Sequence, residues 1–285
     1  MKHWLWLRDE IDAVLCGKER ILIGCDFDGT LCPLAATPAQ VELAPTTFAI
    51  LRRAAECRRL TLAVISGRAL NDIRRLLPLD HLVFAGNHGL EIVGRGLEFS
   101  NYGAQQLRSS LSSACEALTC VLQAWPAAWI EDKHLSLTLH FRQVDEAQQS
   151  SLRSAARRAL AGLGRSISLF AGKRALEIRP NVPWDKGAAL KYIRQKLGPF
   201  DACICLGDDR TDESMFRANR GQLSIRVGRP ERSAATCYLS GPDEVAAMLA
   251  HLVEVCSSDA TAALMTNCKP SPRLPRLTAL NHGQR

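Results

Sequence analysis

The chain has no stretch of about eighteen apolar residues, so nothing in its 285 residues is expected to span a membrane. The segment MKHWLWLRDEIDAVLCGKER carries a short apolar patch followed by acids, without the long apolar core of a signal peptide, and a cytoplasmic protein is expected. Zinc-finger spacing and an aromatic-basic RNA signature are both missing. The formal charge of +7 comes from arginines scattered through helical stretches, not from one basic run. Nucleic acid is therefore not an expected partner, and a mildly basic cleft for an anionic small molecule is the simpler use of that charge. No internal repeat is visible. The eleven cysteines are an odd number in a chain too long to need a disulfide framework, which points to buried free thiols in a reducing compartment. Cys203 and Cys205 share a strand face, but no second pair at zinc spacing follows them.

What is present is enough apolar material, 47% against 23% charged, to bury a sizeable core in one large domain or two modest ones. Residues 3–16 have apolar positions at helical spacing. ILIGCDF (21–27) is too short for a buried helix and reads as a buried strand. A helix over 45–59, a strand over 60–66, a helix over 68–77 and a strand over 81–86 follow. This alternation predicts a parallel sheet with crossover helices, an α/β fold. The pattern changes after about residue 92. A long helix over 103–124, an alternating stretch over 129–142, a helix over 145–162 and a hairpin over 166–180 with its turn near Gly172 make an α+β block. From WDKGAAL the parallel rhythm returns: helix 185–197, strand 202–208, helix 211–219, strand 222–228 and a last helix near 242–255. The expected division is a discontinuous α/β core of 1–92 and 183–257, an inserted domain of 93–182, and a disordered tail of 258–285 rich in Ser, Thr, Pro and Arg.

Asp26-Phe27-Asp28-Gly29-Thr30 directly follows a buried strand, at the carboxyl end where open parallel sheets place their sites. Two carboxylates one residue apart repel, and their joint ionisation calls for a cation. An ordinary Asp-Gly surface turn is the bland reading. Gly207-Asp208-Asp209-Arg210-Thr211-Asp212-Glu213 repeats the arrangement on another strand. There Asp212 and Glu213 could be only acids at a helix start, with contact of Asp209 or Asp212 to a metal left open, while Asp208 sits at the strand tip. Acids gathered across one sheet make an oxygen-ligand site for Mg²⁺. Ser66-Gly67-Arg68 closes a third strand, as a phosphoryl-binding hydroxyl beside a close-approach glycine or as a simple N-cap. Lys186 opens a predicted helix, where a cation is unfavourable unless an anion lies near.

Together Asp26-x-Asp28-Gly29-Thr30, Ser66, Lys186 and Gly207-Asp208-Asp209 resemble the motifs of the haloacid dehalogenase superfamily of phosphatases. The resemblance implies a Rossmann-like core with an inserted α/β cap of type C2B. It implies Asp26 as nucleophile, Asp28 as acid and base, and Ser66 and Lys186 as holders of the phosphoryl oxygens. It also implies Mg²⁺ held by Asp26, the carbonyl of Asp28 and Asp208.

A second set narrows the resemblance: Ala85-Gly86-Asn87-His88-Gly89, Glu131-x-Lys133, His140-x-Arg142, Glu177-x-Arg179-Pro180 and Trp184-Asp185-Lys186-Gly187 look like the trehalose-6-phosphate phosphatase family. Members more often carry Ser at the place of Asn87 and Tyr at those of Phe27 or Phe141. By this resemblance Glu131, Lys133 and Glu177 bind sugar hydroxyls with Arg142 and His88 nearby, and Gly67 and Arg68 belong to the same substrate-binding set. It implies hydrolysis of trehalose 6-phosphate in trehalose biosynthesis, with a trehalose-phosphate synthase as protein partner. Two other readings stay open: a phosphatase or mutase for another glycosyl phosphate, and a non-catalytic sugar-phosphate-binding regulator. From the residues alone, Glu131 and Lys133 also fit an exposed same-face pair on a strand.

Overall fold

The computed structural model describes residues 1–35, 37–172, 174–229 and 232–257; the expected disordered tail lies outside these. In chain order the strands are β1 (Lys2–His3), β2 (Ile21–Cys25), β3 (Leu60–Ile65), β4 (Val83–Gly86), β5 (Glu91–Gly94), β6 (Leu97–Ser100), β7 (Trp129–Asp132), β8 (Leu137–His140), β9 (Ile167–Gly172), β10 (Ala175–Pro180), β11 (Ala202–Gly207), β12 (Leu223–Val227) and β13 (Cys237–Leu239). The helices are α1 (Arg8–Leu15), α2 (Pro45–Glu56), α3 (Leu70–Leu76), α4 (Tyr102–Gln106), α5 (Arg108–Leu122), α6 (Glu146–Ala159), α7 (Lys186–Leu197), α8 (Glu213–Ala218) and α9 (Pro242–Ser257).

A nine-stranded sheet runs β1-β13-β12-β11-β2-β3-β4-β5-β6, parallel as far as β4 and antiparallel at β5 and β6. All five residues of β2 are buried, because its neighbours β11 and β3 flank it and helices cover both faces. Alternation divides its side chains between the two cores. Ile21, Ile23 and Cys25 pack with Leu51 of α2 and Leu249 of α9. Leu22 packs on the other side with Leu190 and Ile193 of α7. The ends of β2, β3, β4 and β11 therefore point the same way, and the chain leaves each of them at one rim.

A separate antiparallel sheet runs β7-β8-β10-β9. Its inner face sends Leu137, Leu139, Leu176 and Ile178 against Leu111 and Leu118 of α5 and Leu152 of α6. Emptying one such site, Leu139→Ala for example, costs about 2–5 kcal/mol. The period of two turns Thr138, His140 and Glu177 to the opposite face, over the rim of the large sheet.

The sequence expectations need correction in several places. The alternating stretch 129–142 divides into two strands, β7 and β8: the main chain turns at 133–136, where the Lys133 N–H bonds the Ser136 carbonyl at 2.9 Å. The lead-in expected as a helix over 3–16 starts as a strand paired with β13, and α1 begins only at Arg8. The helix expected over 103–124 breaks at Leu107. The β5–β6 hairpin extends the large sheet, so the expected start of the inserted block at 93 falls inside β5. Among the described residues no helix is long and apolar enough to cross a membrane.

Candidate active site

Asp26 leaves β2 with its N–H bonded to the Leu206 carbonyl of β11 at 2.9 Å, which carries the ladder one residue past the strand. Its side chain is buried, and Lys186 Nζ donates to its Oδ1 at 2.6 Å. The same ammonium donates to Asp212 Oδ1 at 2.7 Å. Lys186 is the first residue of α7, whose N-cap Asp185 accepts the Ala188 N–H at 2.8 Å. The cap fixes the helix start, and two carboxylates offset the misplacement of a cation there.

Carboxylate oxygens of Asp26, Asp208 and Asp212 lie within 4.8 Å of one another. The three acids offer an all-oxygen donor set, which suits a hard divalent ion such as Mg²⁺. Burial pushes the Asp26 carboxyl well up; Lys186 draws it back, and Asp212 and Asp208 push it up again. Burial opposes charge on Lys186 too, but Asp212 and Asp26 outweigh it and its pKa is raised. Asp212 is fully buried, and its second oxygen accepts the Asp209 N–H at 2.9 Å. The sequence left open whether Asp212 is only a helix-start acid or meets a metal; its place four residues after a strand-tip acid was the available clue. Glu213, in contrast, ties down a loop through Ser233 Oγ at 2.5 Å and the Ala234 N–H at 2.9 Å.

The Asp28 side chain stands apart from this acidic group. Arg68 grips both its oxygens, Nε to Oδ2 and Nη2 to Oδ1, each at 2.7 Å. The third arm of Arg68 reaches the Pro38 carbonyl at 3.1 Å, and its guanidinium lies over the Phe27 ring. Ser66 is buried at the end of β3, its Oγ accepting the Arg68 N–H at 3.2 Å. Two glycines are dictated by close approach. Gly29 has φ +85°, and a Cβ there would sit 2.3 Å from Asp208 Oδ2. A Cβ on Gly67 would sit 2.6 Å from the His88 ring.

His88 has φ +58°, which aims its ring back toward Gly67 and lets Nε2 approach Glu177 Oε2 at 3.2 Å. Burial lowers its pKa to about 4 against the pull of Glu177, so the ring is neutral near pH 7. Burial raises the Glu177 carboxyl, yet His88, Arg179 and Lys133 outweigh this and hold it well below the usual range. Glu131 bonds His140 Nε2 at 2.8 Å and lies 3.8 Å from Lys133 Nζ, which donates to the Gly67 carbonyl at 3.1 Å. Burial raises Glu131, but the bond to His140 and the charge of Lys133 bring it below its ordinary value. These are partnered, part-buried groups, not the exposed strand pair that the sequence also allowed. Arg142 is exposed and bonds the Ala35 carbonyl across the cleft mouth at 3.2 Å.

All eleven candidate catalytic and binding residues line one cleft of about 390 Å³ together with Asp208. Sequence reasoning missed the role of Asn87. Its side chain is buried, donates to Glu91 Oε2 at 2.8 Å and to the Lys133 carbonyl at 2.9 Å, and accepts from Ser136 Oγ at 2.7 Å. It pins the β7–β8 turn to the large sheet.

A parallel sheet with a buried aspartate–lysine pair and an acidic group at its carboxyl rim, roofed by an inserted antiparallel sheet, has the haloacid dehalogenase fold. The trehalose-phosphatase family model matches residues 25–242, and the chain belongs to that family. It is 31% identical to probable trehalose-phosphate phosphatase H of Arabidopsis thaliana, over 89% of this chain and 80% of that one. It is 32% identical to probable trehalose-phosphate phosphatase 4 of Oryza sativa subsp. japonica, over 90% and 72%. The solved structure of a trehalose-6-phosphate phosphatase related protein superposes with a TM-score of 0.72 at 26% identity, covering 82% of this chain and 97% of that one.

Proposed function

We propose that this chain hydrolyses trehalose 6-phosphate to trehalose and phosphate through a covalent phosphoryl group on Asp26. The observation that carries the reading is the Asp26–Lys186 pair on the cleft floor, facing the Glu131, Lys133 and Glu177 groups on its roof. A carboxylate oxygen of Asp26 attacks phosphorus as the bond from phosphorus to the sugar oxygen breaks. Asp28 gives that oxygen a proton. Arg68 holds Asp28 as a carboxylate in the resting geometry; an incoming phosphoryl dianion competes for the same guanidinium, and the freed carboxylate takes up from solvent the proton it gives to the leaving oxygen. Water then attacks the aspartyl phosphate, Asp28 takes its proton, and phosphate departs with Asp26 restored. Ser66 and Lys186 hold phosphoryl oxygens throughout.

Asp26, Asp208 and Asp212 fit Mg²⁺, which would supply positive charge to offset that of the transferring group. The roof acts as a lid whose closure excludes water and selects the sugar. A trehalose-phosphate synthase is the proposed supplier and partner, and the cytoplasm the proposed location.

The test is phosphate release over a panel of sugar phosphates, with and without Mg²⁺, for wild type and Asp26→Asn. Trehalose 6-phosphate is expected to give the highest kcat/KM, only with Mg²⁺, and Asp26→Asn none. Turnover by Asp26→Asn would remove the nucleophile, and a better substrate elsewhere in the panel would remove the sugar assignment.

A further inference from the structure

The roof of the cleft changes character along its length. Its inner end is charged, with Glu177 against His88 and Arg179, and Lys133 over Gly67. Its outer end is aromatic. Trp129 and Glu131 lie two apart on β7 and so share the cleft-facing side. Opposite Trp129 in register stands His140 of β8. The two rings are stacked, with centroids 4.0 Å apart and planes 17° from parallel. His140 is itself fixed by Glu131 through the 2.8 Å bond to its Nε2. One face of the indole is thus braced, and Trp129 remains 38% exposed at the cleft mouth. Of the seven exposed large hydrophobic side chains among the described residues, two, Trp129 and Leu34, line this cleft. Leu34 comes from the core loop after β2, the loop whose Ala35 carbonyl Arg142 binds. Apolar surface left exposed inside a cleft is available to a ligand, and ligand clefts are lined largely by apolar and aromatic side chains.

We propose that Trp129, braced by His140, is the stacking platform for the second sugar ring of the substrate, the ring that carries no phosphate, with Leu34 on the opposite wall. This rests on the functional reading above and assigns the part of the disaccharide that the charged groups leave unbound. The phosphorylated ring is anchored at the inner end, beneath Glu131, Lys133 and Glu177. Two residues of strand carry Trp129 about 7 Å outward from Glu131, the scale of one sugar ring. A neutral pyranose ring offers a face of C–H bonds, and a rigid indole provides contact area for it at small entropic cost. The polar rim of the sugar stays free to bond water.

The experiment measures kcat and KM for trehalose 6-phosphate in wild type, Trp129→Ala and Trp129→Phe, with glucose 6-phosphate as the one-ring comparator, used as substrate or as competitive inhibitor. Trp129→Ala is expected to raise KM for trehalose 6-phosphate about tenfold, with kcat moving far less. The preference for trehalose 6-phosphate over glucose 6-phosphate falls by the same factor, and Trp129→Phe recovers most of it. Circular dichroism and thermal melting check that both variants are folded, and Trp129→Phe carries the test if the alanine variant is not. An active wild type whose preference survives Trp129→Ala, or a phenylalanine variant no better than alanine, overturns the platform alone. A wild type with no turnover of trehalose 6-phosphate overturns the functional reading and this inference with it.

Discussion

Replacing Lys186 by Met keeps the aliphatic stem and removes the one ammonium between Asp26 and Asp212. The side chain is 3% exposed, with contacts of 2.6 and 2.7 Å. At an effective dielectric of about 20, each contact represents roughly 6 kcal/mol of gross attraction, most of it offset by desolvation. Losing one partner of a buried pair leaves that desolvation uncompensated and costs about 3–5 kcal/mol. For a chain of this size that is a fall in Tm of roughly 6–20 °C, read by thermal melting in chelator. Removing the lysine also takes away the positive charge that faces Asp26 and Asp212. The variant is therefore expected to bind Mg²⁺ more tightly than wild type, and Mg²⁺ to raise its Tm by more. Turnover still falls by about 10²–10³, because an oriented charge on the transferring group is gone. A variant melting within about 2 °C of wild type in chelator, or gaining no more from Mg²⁺, would refute the account of Lys186 as the counter-charge of the acidic group.

Glu177→Ala is expected to lower kcat/KM for trehalose 6-phosphate by about tenfold to a hundredfold, and to affect a small aryl phosphate much less; equal losses would remove Glu177 from sugar recognition. The pH dependence of stability has a definite sign at His88. Its pKa falls from 6.5 unfolded to about 4 folded, so the unfolded chain binds more protons between these values. Stability is lost as pH drops from 6.5 to 4, by about 3 kcal/mol, and levels off below. Urea unfolding of wild type and His88→Gln across that window checks it, the variant showing the shallower slope. Gly29→Ala puts a methyl group 2.3 Å from Asp208 Oδ2 on a backbone of φ +85°. The backbone cost is about 1–2 kcal/mol, and displacement of Asp208 weakens Mg²⁺ binding in isothermal titration calorimetry.

Much of the core was legible because buried parallel strands are short apolar runs that end in the residues they present. ILIGC with Asp26, LTLAVI with Ser66 and ACICLG with Asp208 each read as a strand followed by chemistry. The edges were not legible. Lys2–His3 and Cys237–Leu239 are two- and three-residue strands with no period of their own, existing because β12 and β13 offer open ladders. Leu97–Ser100 pairs through a turn at Gly94-Arg95-Gly96 whose three residues all have positive φ, a conformation that Arg95 does not announce. Within the site, the sequence left Asp212 undecided between a helix-start acid and a metal neighbour, and showed Asn87 only as a departure from the family's more frequent Ser. Their functions lie in partners 26 and 46 or more residues away.

The order of residues along the chain determined by itself which side chains stand at strand tips, because a strand's length and alternation are local properties. It determined as well that an antiparallel block interrupts the parallel one. Which acids share a cation, which arginine holds Asp28, and that an aromatic pair faces an aliphatic loop across the cleft were decided only by folding. Those distances are set by the packing of one sheet over another, and no spacing along a chain encodes them.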